Sequence, residues 1–179
     1  MYNLTDHTHN DGVLLIFSGL PGTGKTTLSR LLAKRLGAMY LRVDTVEHEL
    51  SRYVTGFMED KGYRILYKLA ADNLLLGRSV VADSCNPIDI TRSAWEKVAN
   101  DCNVTYVNIE IICSNKEEHR RRIETRISDI DGFTGPTWNE VLEREYQSWS
   151  NDIIQIDTAL KSQEDCIEEL FHNRPFVNI

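Results

Sequence analysis

Gly19-Leu20-Pro21-Gly22-Thr23-Gly24-Lys25-Thr26 satisfies G-x-x-x-x-G-K-[ST], and this leaves the chain few ways to fold. Glycines let the backbone curl until successive amides face one point, and a helix leaving the curl adds the positive end of its dipole. The pattern is meaningful only between a strand and a helix. Both flanks are present. Val13–Phe17 is a continuous branched and aromatic run, as in a strand covered on both faces. Leu28, Leu31, Leu32 and Leu36 then repeat at helical spacing until Gly37 supplies a stop. In such a phosphate cradle Gly22, Thr23 and Gly24 curl around the anion. Lys25 reaches the outer phosphates of a nucleoside triphosphate, Thr26 ligates Mg²⁺ and Thr27 contacts the inner phosphate. A dinucleotide-binding G-x-G-x-x-G turn is excluded, because the third glycine is missing and Lys25 stands where that helix must pack closely.

The rest of the chain alternates short apolar strands with helices. Strands are expected at Met39–Val43, Ser79–Asp83, Val104–Ile112 and Ile153–Ile156. Helices are expected over 45–53, from Gly62 to about Leu76, over 89–100 after Pro87, and over 116–127. Two more are expected, one from Thr137 to Trp149 and one after Ser162 to about Phe171. Ser114 with Glu117, Thr137 with Glu140, and Ser162 with Asp165 read as helix-start signals. Five buried strands separated by helices imply a three-layer α/β fold, a parallel sheet with helices on both faces. Such sheets bind ligands at the carboxyl ends of their strands. The glycine turn, Asp44, Asp83 and the segment after Ile112 all fall on that edge.

Composition narrows the setting. The 179 residues suit one domain, expected over 12–179, with a short lid around 115–136 and a flexible polar leader at 1–11. His7 and His9 read as part of that leader rather than as a metal pair. A net charge of −7 argues against coating nucleic acid through charge alone. Cys85, Cys102, Cys113 and Cys166 match no CxxC spacing and read as reduced packing residues. With no signal-peptide pattern and no long apolar run, a cytoplasmic protein without membrane contact is expected.

Several side chains are candidates for chemistry. Asp44 follows the second strand and reads either as a base for an incoming hydroxyl or as a helix cap completed by Glu47. Asp83 ends the third strand, where a carboxylate can hold Mg²⁺ through its water shell. Asn86 reads as a substrate or turn residue, and Arg92 as a possible substrate-facing cation. Arg120, Arg121, Arg122 and Arg126 crowd one helix. Arg122 and Arg126 share a face, suited to clamping a phosphoryl group in transfer. The competing account is a solvated helix laced with ion pairs to Glu117, Glu118 and Glu124.

On GLPGTGKTTL, VDTVE, VVADSCNP and EHRRRIETR, the chain resembles the small-molecule kinases of the P-loop superfamily. That group includes the shikimate, gluconate and chloramphenicol kinases and polynucleotide kinase domains. It is similar above all to predicted ATP-dependent kinases labelled AAA-type ATPases. The resemblance implies strand order 2-3-1-4-5, Asp44 as base or substrate-binding carboxylate, Asp83 near Mg²⁺, and Arg122 and Arg126 as lid arginines. It implies ATP with Mg²⁺ as the cofactors and a small-molecule hydroxyl or a nucleotide as the acceptor. A nucleic-acid 5′ end is less favoured, because Asp44-Thr45-Val46-Glu47 lacks the arginine common after the base of polynucleotide kinases. An ATP-dependent switch or hydrolase is the remaining alternative, and the chain is expected to be a monomer or small homo-oligomer.

Overall fold

In a computed structural model, residues 12–53, 60–149 and 153–172 are described. The expected leader at 1–11 lies outside them. The strands are β1 (Val13–Ser18), β2 (Met39–Arg42), β3 (Val80–Asp83), β4 (Thr105–Ile112) and β5 (Ile154–Asp157). They form one sheet of order β2-β3-β1-β4-β5, with every neighbouring pair parallel. The helices are α1 (Lys25–Leu36), α2 (Val43–Tyr53), α3 (Lys61–Leu75), α4 (Asp89–Asp101), α5 (Lys116–Thr125), α6 (Trp138–Glu143) and α7 (Gln163–His172).

All six residues of β1 are buried, and their side chains divide by alternation between two cores. Val13, Leu15 and Phe17 pack with Leu28 and Leu32 of α1 and with Ile167 and Leu170 of α7. Leu14 and Ile16 face Leu66, Ala70 and Leu74 of α3 and Trp95 and Ala99 of α4. A strand this apolar has no solvent face, so it takes the centre of the sheet. That placement puts the glycine turn in the middle of the carboxyl edge. Parallel register does the rest: Asp83 pairs with Phe17 on one side and with Arg42 on the other.

The structure revises several sequence boundaries. Helix α5 is capped by Asn115, whose side chain accepts from the Glu118 amide at 3.0 Å, rather than by Ser114. The backbone of Ser114 is held instead by Asp157, at 3.0 Å. Helix α6 ends at Glu143 and not near Trp149. Arg92 provides the reason. It is buried in α4, its Nη2 donates to the Gln147 carbonyl at 2.6 Å, and its guanidinium lies 4.1 Å from the Trp149 ring centre. This clamp draws residues 144–149 across the loop after β3, where the Gln147 amide donates to Pro87 O at 2.8 Å. Ile65, Leu69 and Ile90 are exposed although apolar; the buried positions of α3 include Tyr63, Leu66, Ala70 and Leu74. The Thr137–Glu140 capping box and the Ser162–Asp165 cap both form.

Trp95 is fully buried and meets Tyr67 edge to face at 4.6 Å. Replacing it with Ala should lower the unfolding free energy by about 3–5 kcal/mol in urea denaturation. A loss under about 1 kcal/mol would mean that this face of the sheet does not depend on it.

Candidate active site

The glycine turn is shaped by backbone conformations that side chains resist. Gly19, Gly22 and Gly24 have φ of 137°, 82° and 98°. A Cβ on Gly19 would stand 2.2 Å from the Ile111 carbonyl oxygen, and one on Gly22 would meet Ile123 at 2.6 Å. The carbonyls of the turn are tied down. Leu20 O accepts from the Thr23 hydroxyl at 2.9 Å, Pro21 O from His119 Nε2 at 2.7 Å, and Thr23 O from the Thr158 hydroxyl at 2.7 Å. Two amides of the turn are used within the fold, Gly19 N donating to Cys85 O at 3.1 Å and Thr23 N to Leu20 O at 3.4 Å, so they are not among those offered to an anion. The first helical bond of α1 runs from Leu28 N to Gly24 O at 3.1 Å, so the amides of Lys25, Thr26 and Thr27 precede it and are available to an anion.

The turn opens on a cleft of about 930 Å³. Gly22, Gly24, Lys25, Thr26, Thr27, Asp44, Arg122 and Arg126 all line it, so the structure brings these predicted site residues together. Thr23 lies behind the turn, buried, with its hydroxyl used within the loop. Six cationic side chains line the cleft, Lys25, Arg30, Arg122, Arg126, Arg144 and Lys161, against the three carboxylates Asp44, Asp129 and Glu164. In a chain of net charge −7, this is a local reversal of sign that suits a polyphosphate.

The carboxylates differ in setting. Asp44 stands in the first turn of α2, inside the helix rather than capping it, and its side chain is 39% exposed toward the cleft. Glu47 lies one turn on, pressed against Gly62. Burial pushes the Glu47 carboxyl up to about 7; repulsion from Asp44 adds to this, and Arg144 opposes it. Asp83 is buried, and the Tyr40 hydroxyl donates to its Oδ2 at 2.6 Å. Asp83 reaches the nucleotide end of the sheet by its register with Phe17 but does not line the cleft itself.

The arginines separate as well. Arg122 Nη1 donates to the Thr158 hydroxyl at 2.7 Å and Nη2 to Glu118 Oε1 at 2.6 Å, so the ion-pair account holds for this residue even though it lines the cleft. Arg120 pairs with Glu124 on the exposed side. Arg126 caps the end of α5 and, among the described residues, makes no ion pair. Asn86 is a turn residue, with φ of 45° and its Nδ2 donating to Phe17 O at 2.9 Å. Arg92, with its guanidinium committed to carbonyls and aromatic faces, does not face substrate.

Four residues here carried no functional signal that the sequence made plain: Arg30, Asp129 and Arg144 line the cleft, and Arg42 is buried behind Asp129. Asp129 receives a hydrogen bond from Arg30 and two from Arg42 Nη1, at 2.9 and 3.0 Å. Burial would raise the Asp129 carboxyl, but hydrogen bonds and charge from Arg42 and Arg30 outweigh it and hold the group at about 2. Arg144 completes the set, with Nη1 3.9 Å from Cys85 Sγ. Only Arg42 carried a local signal, as a charged residue at the end of an otherwise apolar strand.

The family model described as an AAA domain matches residues 14–139, most of the chain. An adenylyl-sulfate kinase from Picosynechococcus sp. is 27% identical over 168 residues, covering 89% of this chain and 91% of the relative. Mycobacterium tuberculosis APS kinase in complex with AMPPNP and APS superposes with a TM-score of 0.64 at 22% identity, over 90% of this chain and 96% of that one. A sugar kinase from Janibacter sp. superposes with a TM-score of 0.66 at 16% identity, over 90% and 93%. At these identities the superpositions speak for the fold, which is the three-layer P-loop fold with order 2-3-1-4-5 expected from the sequence. No helix among the described residues is long and apolar enough to cross a membrane. The family match, the phosphate cradle and the cationic cleft lead to one conclusion: the chain belongs to the AAA-domain family and is an ATP-dependent kinase of the P-loop small-molecule type.

Proposed function

We propose that the protein transfers the γ-phosphoryl group of ATP to a hydroxyl of a small molecule bound on the Asp44 side of the cleft. One observation carries the reading: the phosphate cradle and the Asp44 carboxylate open onto the same cavity. ATP fits the cradle by its positive-φ glycines, its free amides and Lys25. In the reaction the acceptor oxygen bonds to the γ-phosphorus, the bond to the ADP oxygen breaks, and Asp44 takes the hydroxyl proton. Lys25 and Arg126 face the charge that spreads over the transferred group, and Arg122, anchored by Thr158 and Glu118, holds α5 against the cradle.

Bound Mg²⁺ would neutralise charge between the outer phosphates. The Thr26 hydroxyl, which lines the cleft, would hold it directly, and Asp83, buried behind the cleft and fixed by Tyr40, would act on it only through water. Among the described residues no three His, Cys, Asp or Glu side chains converge on a cage, which accords with an ion that arrives on the nucleotide. Residues 115–136 act as the lid over this centre.

A nucleotide acceptor is the second reading, favoured by relatives that are themselves adenylyl-sulfate kinases. Both readings are tested by incubating the protein with Mg-ATP and a pooled library of metabolites and nucleotides. ADP release should accompany a one-phosphoryl mass gain in one compound class. ADP release with no acceptor gaining phosphate would instead establish a hydrolase. Asp44→Asn should cut transfer by about 10²–10⁴-fold while leaving ATP binding nearly unchanged. Transfer that survives this change rules Asp44 out as the base. Lys25→Ala should weaken ATP binding and turnover together.

Glu47 adds a pH dependence. With its folded value raised from 4.5 to about 7, its contribution to stability is full below about 4.5 and is lost as pH rises through about 7. Glu47→Gln keeps the neutral form throughout. Thermal melts should therefore show the variant gaining on the natural protein between pH 5 and pH 8. A difference that does not vary with pH would place the Glu47 carboxyl at its ordinary value.

A further inference from the structure

The connection between α5 and α6 lies across the acceptor side of the cleft and is held at two points. Asp129 docks on Arg30 of α1 and Arg42 of β2. Asp131 O accepts from His48 Nε2 of α2 at 2.9 Å, and Phe133 meets the His48 ring at 5.6 Å. The first of these contacts is incompletely matched. Arg42 is 4% exposed, and its Nε and Nη2 are buried with no hydrogen-bond partner, although Asp44 Oδ2 stands 3.9 Å from Nη2. A guanidinium offers five donors, and here one planar carboxylate uses only Nη1 while sharing itself with a second arginine. Unmet buried donors are costly, and a tetrahedral oxyanion reaches more of them than a carboxylate does. Asp129 itself belongs to a segment without helix or strand, so it can leave without breaking a ladder or a helical turn.

We infer that Arg30 and Arg42 form an anion subsite for the acceptor, and that Asp129 occupies it until the acceptor arrives. The acceptor class is then an alcohol that also carries a tetrahedral anion, a phosphate or sulfate ester. Its anionic group displaces Asp129, and its hydroxyl lies a few bonds away, beside Asp44. This assignment rests on the kinase reading for the word acceptor, but the subsite itself is tested without turnover.

The probe is inorganic sulfate, titrated at constant ionic strength against the full chain saturated with Mg-ADP, so that the phosphate cradle is already filled. Asp129→Asn, which preserves shape and removes the competing charge, should bind sulfate at least about tenfold more tightly than the natural protein by calorimetry. Adding Arg42→Gln should abolish that gain, whereas adding Arg35→Gln, an exposed arginine of α1 outside the cleft, should leave it intact. Asp129→Ser offers the same comparison should the asparagine variant fold poorly. If neither variant binds sulfate better than the natural protein, or if the gain survives Arg42→Gln, the subsite is disproved. Phosphoryl transfer to a neutral alcohol alone, in the library assay, would leave the kinase reading standing and overturn the anionic acceptor.

Discussion

Everything at this site depends on how the carbonyl oxygens of the glycine turn are held. A loop of successive amides binds phosphate only if its carbonyls have somewhere else to go, because each peptide unit carries both groups. Here Thr23, His119 and Thr158 supply the donors, from the loop itself, from α5 and from the segment after β5. Two of the three come from distant parts of the chain. The cradle is therefore a product of the assembled sheet edge, and the local glycines only make its curvature permissible. Ile123 packing where a Gly22 Cβ would stand shows how closely α5 sits on the loop. A helix fixed there can carry Arg122 and Arg126 to the cleft with little further ordering.

The acceptor side obeys a different rule, the balance of charge in a partly dry space. Asp44 and Glu47 lie one helical turn apart, and burial together with repulsion from Asp44 raises the Glu47 carboxyl to about 7. Arg42 anchors the opposite sign at the end of β2, pulled into the sheet by its register beside Asp83. Asp129 then neutralises part of that charge from across the cleft. Two ion clusters thus meet here, with the Asp44 carboxylate between Glu47 and Arg42.

The structure also separates two helical arginines that the sequence offered as site candidates in different roles. Arg92 and Arg122 are both helical and both near strand ends, yet Arg92 is enclosed by Tyr146, Trp149 and four backbone carbonyls, while Arg122 lines the cleft. The difference lies in residues 144–149. Their helical pattern is overruled because wrapping Arg92 satisfies a buried cation and covers two aromatic rings, which an extra turn of exposed helix cannot do.

By itself the sequence determined the architecture and the phosphate cradle. Apolar runs with period-two burial, helical leucine spacing and G-x-x-x-x-G-K-T are local patterns, and each has one strongly preferred backbone outcome. It also placed Asp44 and Asp83 at the right edge, since parallel strands bring their carboxyl ends together. Tertiary structure alone decided what those carboxylates meet. Asp129, Arg144 and Arg42 reach the site from a loop, a helix end and a strand end well separated along the chain. No spacing rule links such residues, because their meeting depends on strand register and on the path of the 126–136 connection. The same reason applies to the cradle with which the sequence was most explicit: its glycines are readable in one dimension, but His119 and Thr158, which hold its Pro21 and Thr23 carbonyls, reach it only in three.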